Sequence, residues 1–599
     1  MTDAEHIGFQ DLRSLMNQSS WCEIEREELL TLSRLAYHKD PKQYCATWLP
    51  YLTSFPHHFH TPLCSFHQLA ALEDAAQHIP CATFTFLSHK NKNTLLDLLD
   101  SPASHAIHTL VLGDYCTGDT FKSFVKSTQF QSLKDVRLGG SVISDEDLSE
   151  FAHSPLLAQL NSLAIEYTWS TMLDFDLLAK SPQIRNLKHL KLKGNFLDLD
   201  RVTPLLQSPH LSNLTSLDLA ENDLNEDALR VLAKSPSLAR LTHLNLSFNE
   251  IDDDGIHALL SSPYLKNLRA LHINGNKVTD EGASALAKSP LLSNLTSLDL
   301  GGNLVRAKGA KELAKSPYIQ KLNTLDLGGN RLQDDGITAL VSSPLCAHLT
   351  TLNLNTTELS LSSTQAIAKS PYLSQLSTLA LTDNELGDEG IKTLVNAPSL
   401  PHLDTLSLSA IYAGRDAFQA LAQATLLSQF NSLSLDSNDL GDEGLLILLQ
   451  SPHLFTSLTS LTLRRNKLTD DGITALAKSP HLLQLRSLCL NDNAIGPAGI
   501  KALTQSSYAS NLRSLNFSFN PVRDEGIIAI STSKYLNNLI FLDVTSTRMT
   551  HKGTRALLAW PHLKHLHTLY FALMNTIEYD DGTALNEAVP ITDYDEDND

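Results

Sequence analysis

The sequence predicts an α/β solenoid: a curved horseshoe of stacked turns, with parallel strands on its concave face and helices on its convex face, preceded by a helical N-terminal cap. Three observations predict it. A leucine pattern closed by asparagine returns at a fixed spacing of 27 residues. Each copy divides into a short alternating half and a short helical half. Aromatics make up only 6% of 599 residues, so any large core must be built from aliphatic side chains.

The N-terminal residues 1–78 do not fit the repeat. Ser20-Trp21-Cys22-Glu23 opens an amphipathic run over Ile24–Tyr37, and Ser65-Phe66-His67-Gln68 opens another over Leu69–His78, each as a capping box. With the aromatics Trp21, Trp48, Tyr51 and Phe55, this region reads as a helical cap that covers the open end of the stack.

The array, residues 79–575, follows. Leu214-Thr215-Ser216-Leu217-Asp218-Leu219-Ala220-Glu221-Asn222 returns as Leu241-Thr242-His243-Leu244-Asn245-Leu246-Ser247-Phe248-Asn249, and again as Leu268-Arg269-Ala270-Leu271-His272-Ile273-Asn274-Gly275-Asn276. The closing asparagines stand at 195, 222, 249, 276, 303 and 330, then at 384, 438, 466, 493 and 520; one step is 28, with the extra residue in Phe455-Thr456. Weaker copies put Thr168, Ser141, Tyr115 and His89 in that column upstream and Thr547 and Met574 downstream, while Thr357 and Ile411 break it inside. The count is nineteen turns, from about Cys81 to about Met574. In this pattern the chain resembles the leucine-rich-repeat family, and the long unit with a helical half resembles its ribonuclease-inhibitor-like subtype. It also resembles uncharacterised bacterial leucine-rich-repeat proteins built on LAKSP…LTSLDL…NxLxDEG units. The resemblance spans more than four-fifths of the chain and implies a binding scaffold.

Within one unit, Leu217-Asp218-Leu219 alternates as a half-buried strand does, and the asparagine is expected to bond backbone groups of the turn that follows. Asp470-Asp471-Gly472-Ile473-Thr474-Ala475-Leu476-Ala477-Lys478 has apolar residues at helical spacing. Acids at its start suit the positive end of the helix dipole and are expected to cap that helix; Lys478 suits the other end. Ser-Pro, present twelve times, ends the helix. The acidic tail of 576–599, ending Asp593-Tyr594-Asp595-Glu596-Asp597-Asn598-Asp599, reads as a solvated terminus.

Net charge of −20 argues against a nucleic-acid duplex or an anionic membrane as partner, and the repeated helix-start acids account for much of it. The first residues lack a basic segment with an apolar stretch behind it, and seven scattered cysteines form no CxxC pair, so a reducing cytoplasm is expected. His57-His58-Phe59-His60 with Cys64 and His67 matches no structural-zinc spacing. There is no HExxH, phosphate loop, GxGxxG or GxSxG, so neither catalytic residues, nor a metal, nor a cofactor is expected. No cysteine lies beyond Cys489, which excludes the catalytic domain of leucine-rich-repeat ubiquitin ligases.

The expected function is a monomeric protein-interaction module whose concave face binds a protein. The alternatives are a regulator of an enzyme's turnover, such as a GTPase-activating protein, and a self-assembling structural protein. The candidate contact residues point away from the core at the x positions of each unit. One group is His189, Lys191, Lys193, Asp218, Glu221, His243, Asn245, Phe248, His272 and Asn274; mixed charge beside an aromatic suits a protein hot spot. A second is Arg464 and Arg465 between Asp436 and Asp492, and a third is Phe519, Phe541 and Tyr570. The irregular turns Tyr167-Thr168-Trp169 and Ser409-Ala410-Ile411-Tyr412 are further candidates.

Overall fold

The computed structural model describes residues 104–105, 107–112, 118–139, 143–168, 173–571 and 575, together with strands at 63–64 and 84–88. It divides into two compact units, Met1–Ile273 and Asn274–Asp599. The two expected cap helices, the histidine stretch at 57–60 and the acidic tail lie outside the described residues.

In the first unit, parallel strands run from Leu63–Cys64 and Phe84–Ser88 through Ile107–Leu112, Asp135–Gly139 and Ser162–Glu166 to His189–Lys191, Ser216–Asp218, His243–Asn245 and Ala270–His272. Each pairs in parallel with the next, and Leu163, Leu190, Leu217, Leu244 and Leu271 fall in one register row. The Leu63–Cys64 strand, paired with Phe84–Ser88, carries the parallel sheet into residues expected to belong to the cap. A helix answers each strand from Asp119–Lys126 onward. The core is not purely aliphatic here, contrary to the composition-based expectation. Phe121, Phe124, Phe130 and Phe151 are fully buried, with Phe121 edge-on to Phe151 at 5.9 Å and Phe124 edge-on to Phe130 at 5.5 Å. Phe430 and Phe517 are likewise fully buried in the second unit.

The second unit holds strands from Ser297–Asp299 to Thr568–Tyr570, and its leucine row runs unbroken from Leu298 through Leu325, Leu352, Leu379, Leu406, Leu433, Leu461, Leu488, Leu515 and Leu542 to Leu569. The 28-residue turn does not disturb it. Its extra residue is taken up near Phe455, which is buried and stacked 4.7 Å from His481. Each buried leucine contributes on the order of 1.5–3 kcal/mol, and only stacking supplies the neighbour that buries it.

Three polar ladders link successive turns where their residues are present. Asn222 donates to the carbonyls of Leu192, Leu219 and Ala220 at 2.9–3.0 Å, while its oxygen accepts from Asn195 and Leu197 of the preceding turn. Asn330 does the same in the second unit. Thr357 keeps part of this arrangement, its hydroxyl donating to the Leu354 carbonyl at 2.7 Å. At the last turn Met574 was the expected occupant; the structure puts Asn575 there instead, accepting from Met549 and donating to Val544 and Phe571. The serine of Ser-Pro donates to a carbonyl 29 residues earlier, as Ser208 does to Ala179 at 2.6 Å.

The third ladder corrects the reading of the acids. Asp280 accepts from the backbone N–H of Arg306 and Gly309, Asp470 from Gly496 and Gly499, and Asp524 from Thr550 and Gly553. Each carboxylate therefore caps the following helix, while residues such as Thr279 and Thr469 cap the aspartate's own. Burial works against the charge on Asp334, but hydrogen bonds from Ser360 and Ser363 outweigh it and hold its carboxyl below the ordinary value.

Candidate functional site

On the strand face of the first unit the outward positions form rows. Arg137, Ala164, Lys191, Asp218, Asn245 and His272 lie in one register row, and Asp135, Ser162, His189, Ser216, His243 and Ala270 in another. Parallel pairing sets these neighbours about 4.8 Å apart. The rows bring together six of the ten residues expected as the first contact group, and Lys193, Glu221 and Phe248 follow in the turns after those strands; Asn274 falls at the start of the second unit. His189, Lys191, His243 and Phe248 are exposed, and Lys193, Asp218, Glu221, Asn245 and His272 are half-buried.

In the described turns from Tyr167 to Ser546, a residue with positive φ stands directly before the asparagine column. Glycine supplies it at Gly194 in the first unit and at Gly275, Gly302 and Gly329 in the second. Elsewhere another residue takes it: Tyr167, Glu221 and Phe248 in the first unit, and Thr356, Asp383, Ala410, Ser437, Arg465, Asp492, Phe519 and Ser546 in the second. Bulky residues pay a steric penalty there that glycine avoids. Phe248 combines φ of 52° with 55% exposure, so neither backbone preference nor burial accounts for a phenylalanine at this position.

Beside it sits a clasp that the sequence pattern did not reveal. The Tyr167 hydroxyl donates to Glu221 Oε2 at 3.0 Å, across the intervening turn. Lys193 Nζ lies 2.8 Å from Glu221 Oε1 and 5.2 Å over the Tyr167 ring. Gly194 makes this feasible, since a Cβ there would stand 2.4 Å from the ring. Lys193 is partly buried, which opposes its charge, but Glu221 and Tyr167 overcome this and drive its pKa up. Burial pushes His189 down, against the pull of Asp135, and pushes His243 down as well, with His272 and Arg269 adding to the shift. Burial raises Glu166, with Lys191 as the chief opposing cation. In the sequence Tyr167 stands out only as part of an irregular turn, and the repeat pattern carries no signal at Gly194 or Lys188.

The second group is more self-contained. Arg465 Nε meets Asp492 Oδ2 at 2.5 Å, and Asp436 accepts from the Arg464 backbone N–H at 2.8 Å. Burial raises Asp436 despite these bonds. In the third group Phe541 and Tyr570 pack edge-on at 5.7 Å, while Phe519 is 42% exposed. At the other irregular turn Ile411 is buried in the asparagine column and Tyr412 is 75% exposed. Among the described residues no group of three or more histidine, cysteine or acidic side chains is placed to hold a metal ion, and no helix is long and apolar enough to cross a membrane.

Parallel strands in leucine register, a helix returning after each, and asparagine, aspartate and serine ladders between turns define an α/β repeat protein. The comparison with known families agrees: the leucine-rich-repeat profile matches residues 210–233, 240–260, 264–287, 292–314, 318–341, 374–395, 430–448, 456–477, 481–503 and 508–531. The chain is a leucine-rich-repeat protein. Among solved structures, an internalin from Listeria monocytogenes is similar at 24% identity over 54% of this chain and 77% of that one, with a TM-score of 0.34. No curated protein matches the sequence.

Proposed function

We propose that this protein is a protein-interaction module and that the strand face of its first unit is the receptor surface, with Phe248 as the anchoring side chain. The observation that carries this reading is Phe248 itself, a large apolar side chain 55% exposed at positive φ on a turn that four other copies of the repeat build with glycine. Strain kept at an exposed aromatic, beside a clasp that immobilises Tyr167, Lys193 and Glu221, supports a preorganised contact surface. The Arg464–Arg465 group supports a contact less well, because Arg465 already has Asp492 as its partner.

The test is affinity capture from native extract on the immobilised full chain, beside the double variant Lys191→Glu/Phe248→Ala and the control Lys234→Glu/His257→Ala on the helical side. A protein held by the wild type and the control but lost by the double variant is the expected result. Equal loss from the control pair would overturn the assignment to the strand face.

A further inference from the structure

We propose that the segment bound on this face is an acidic peptide, whose carboxylates pair with Lys188 and Lys191 while an apolar side chain packs on Phe248. The inference rests on the reading above and names the chemistry of the partner.

It follows from which charges on the face are already used. Arg137 pairs with Asp135 at 3.3 Å. Lys193 is committed to Glu221. Lys134 donates to the Gln159 carbonyl at 3.2 Å. The acids are engaged too: Asp135 by Arg137, Glu221 by Lys193 and Tyr167, and Asp218 by the Ala220 N–H at 3.1 Å. Lys188 and Lys191 remain. Both are exposed, on or beside one strand, and neither side chain has a hydrogen bond or ion pair among the described residues. Glu166 is the acid left facing Lys191, and it is half-buried. A chain of net charge −20 thus presents, on the same face as an exposed aromatic, two cations whose side chains make no hydrogen bond or ion pair among the described residues.

Geometry gives the peptide a shape. Phe248 belongs to the second turn after that of Lys191, about 10 Å across the strands and about 10 Å further along them, which an extended chain spans in roughly four residues. The fitting segment therefore carries acids about four positions from an apolar residue. A polyphosphate chain or an anionic bilayer fits less well, because Asp135, Glu166, Asp218 and Glu221 lie in and beside the same rows and would repel a continuous negative surface.

The experiment is fluorescence anisotropy with the full chain and a fluorescein-labelled peptide of about twelve residues carrying a Glu-Glu pair four positions before a leucine. The expected result is saturable, salt-sensitive binding that Lys188→Glu/Lys191→Glu weakens by about tenfold or more, while Lys234→Glu/Lys266→Glu leaves it unchanged. Absence of binding, equal loss from both pairs, or tighter binding of oligothymidylate or phosphatidylserine vesicles overturns the proposal. Circular dichroism checks that both pairs fold. The two readings fail separately. A partner captured from extract, lost on Phe248→Ala but indifferent to the lysine reversal, keeps the receptor surface and removes the acidic chemistry.

Discussion

The strand faces of the two units are built on one repeat and carry different chemistry. In the first, Lys188, His189, Lys191, the Tyr167–Lys193–Glu221 clasp and Phe248 occupy the outward rows. In the second, the corresponding rows open on small polar and acidic side chains: Thr324, Thr351, Thr378 and Thr405 are in register, as are Asp299, Asp326 and Asn353. The inward leucine and asparagine columns recur in both units, because a turn that offers its neighbour the same leucines and the same hydrogen bonds stacks on it in the same way. Outward positions are under no such demand. What differs there is not required by the stacking of one turn on the next.

If inward columns are equivalent, breaking one in either unit must cost the same. Asn222→Leu and Asn330→Leu each remove a buried side chain that serves several backbone groups, leaving those groups without partners. Each is expected to lower stability by roughly 3–5 kcal/mol in chemical denaturation, the largest effect predicted. Costs differing severalfold would show that the ladders are not equivalent. Next in size is Gly194→Ala. The added methyl collides with the Tyr167 ring at φ of 67°, whereas Gly387→Ala meets nothing within 4 Å at φ of 59°. The second change carries only the backbone penalty, about 1 kcal/mol; the first adds the clash and is expected to cost about 2–3 kcal/mol. Equal melting temperatures for the two would mean that the clasp is loose.

These residues also show what the sequence discloses. Leucine and asparagine columns are legible because each turn repeats them, and the strands from Phe84–Ser88 to Thr568–Tyr570 fall where the period puts them. The aspartates were legible as capping residues but not as caps of the next helix, since a local motif cannot show which helix start a carboxylate reaches. Asn575 was missed by one position because an insertion falls in a turn with few other markers. The outward rows followed from alternation, yet the clasp did not. Tyr167 reaches Glu221, 54 residues away, through a single non-repeating tyrosine.

The carboxylates of the second unit give the comparison a pH dependence. Burial pushes Asp299 up to about 6, with Asp326 on the next strand adding to the shift and the Gly301 N–H opposing it. A raised folded-state value means the folded protein holds this proton more tightly than the unfolded chain does. The group's contribution is thus fully present below about pH 4 and is lost as pH rises through 6. Asp299→Asn is expected to flatten stability over that window and to raise it at pH 7 by on the order of 1–2 kcal/mol. Denaturation midpoints at pH 4, 5, 6 and 7 would check it; an unchanged slope would show the carboxylate to be solvated.

The smallest effect predicted discriminates best, because its two readouts carry opposite signs. Phe248 and Phe519 occupy the same position of the repeat in different units, at φ of 52° and 55° and with 55% and 42% exposure. Replacing either by glycine removes a steric penalty and little burial, offset in part by the greater freedom of glycine in the unfolded chain. Both Phe248→Gly and Phe519→Gly are therefore expected to raise stability by about 0.5–1 kcal/mol. Only Phe248→Gly is expected to abolish partner capture. A fall in stability for Phe248→Gly would mean that the ring packs within its own chain and that its strain needs no partner to explain it. Loss of capture from both variants would move the receptor surface beyond the first unit.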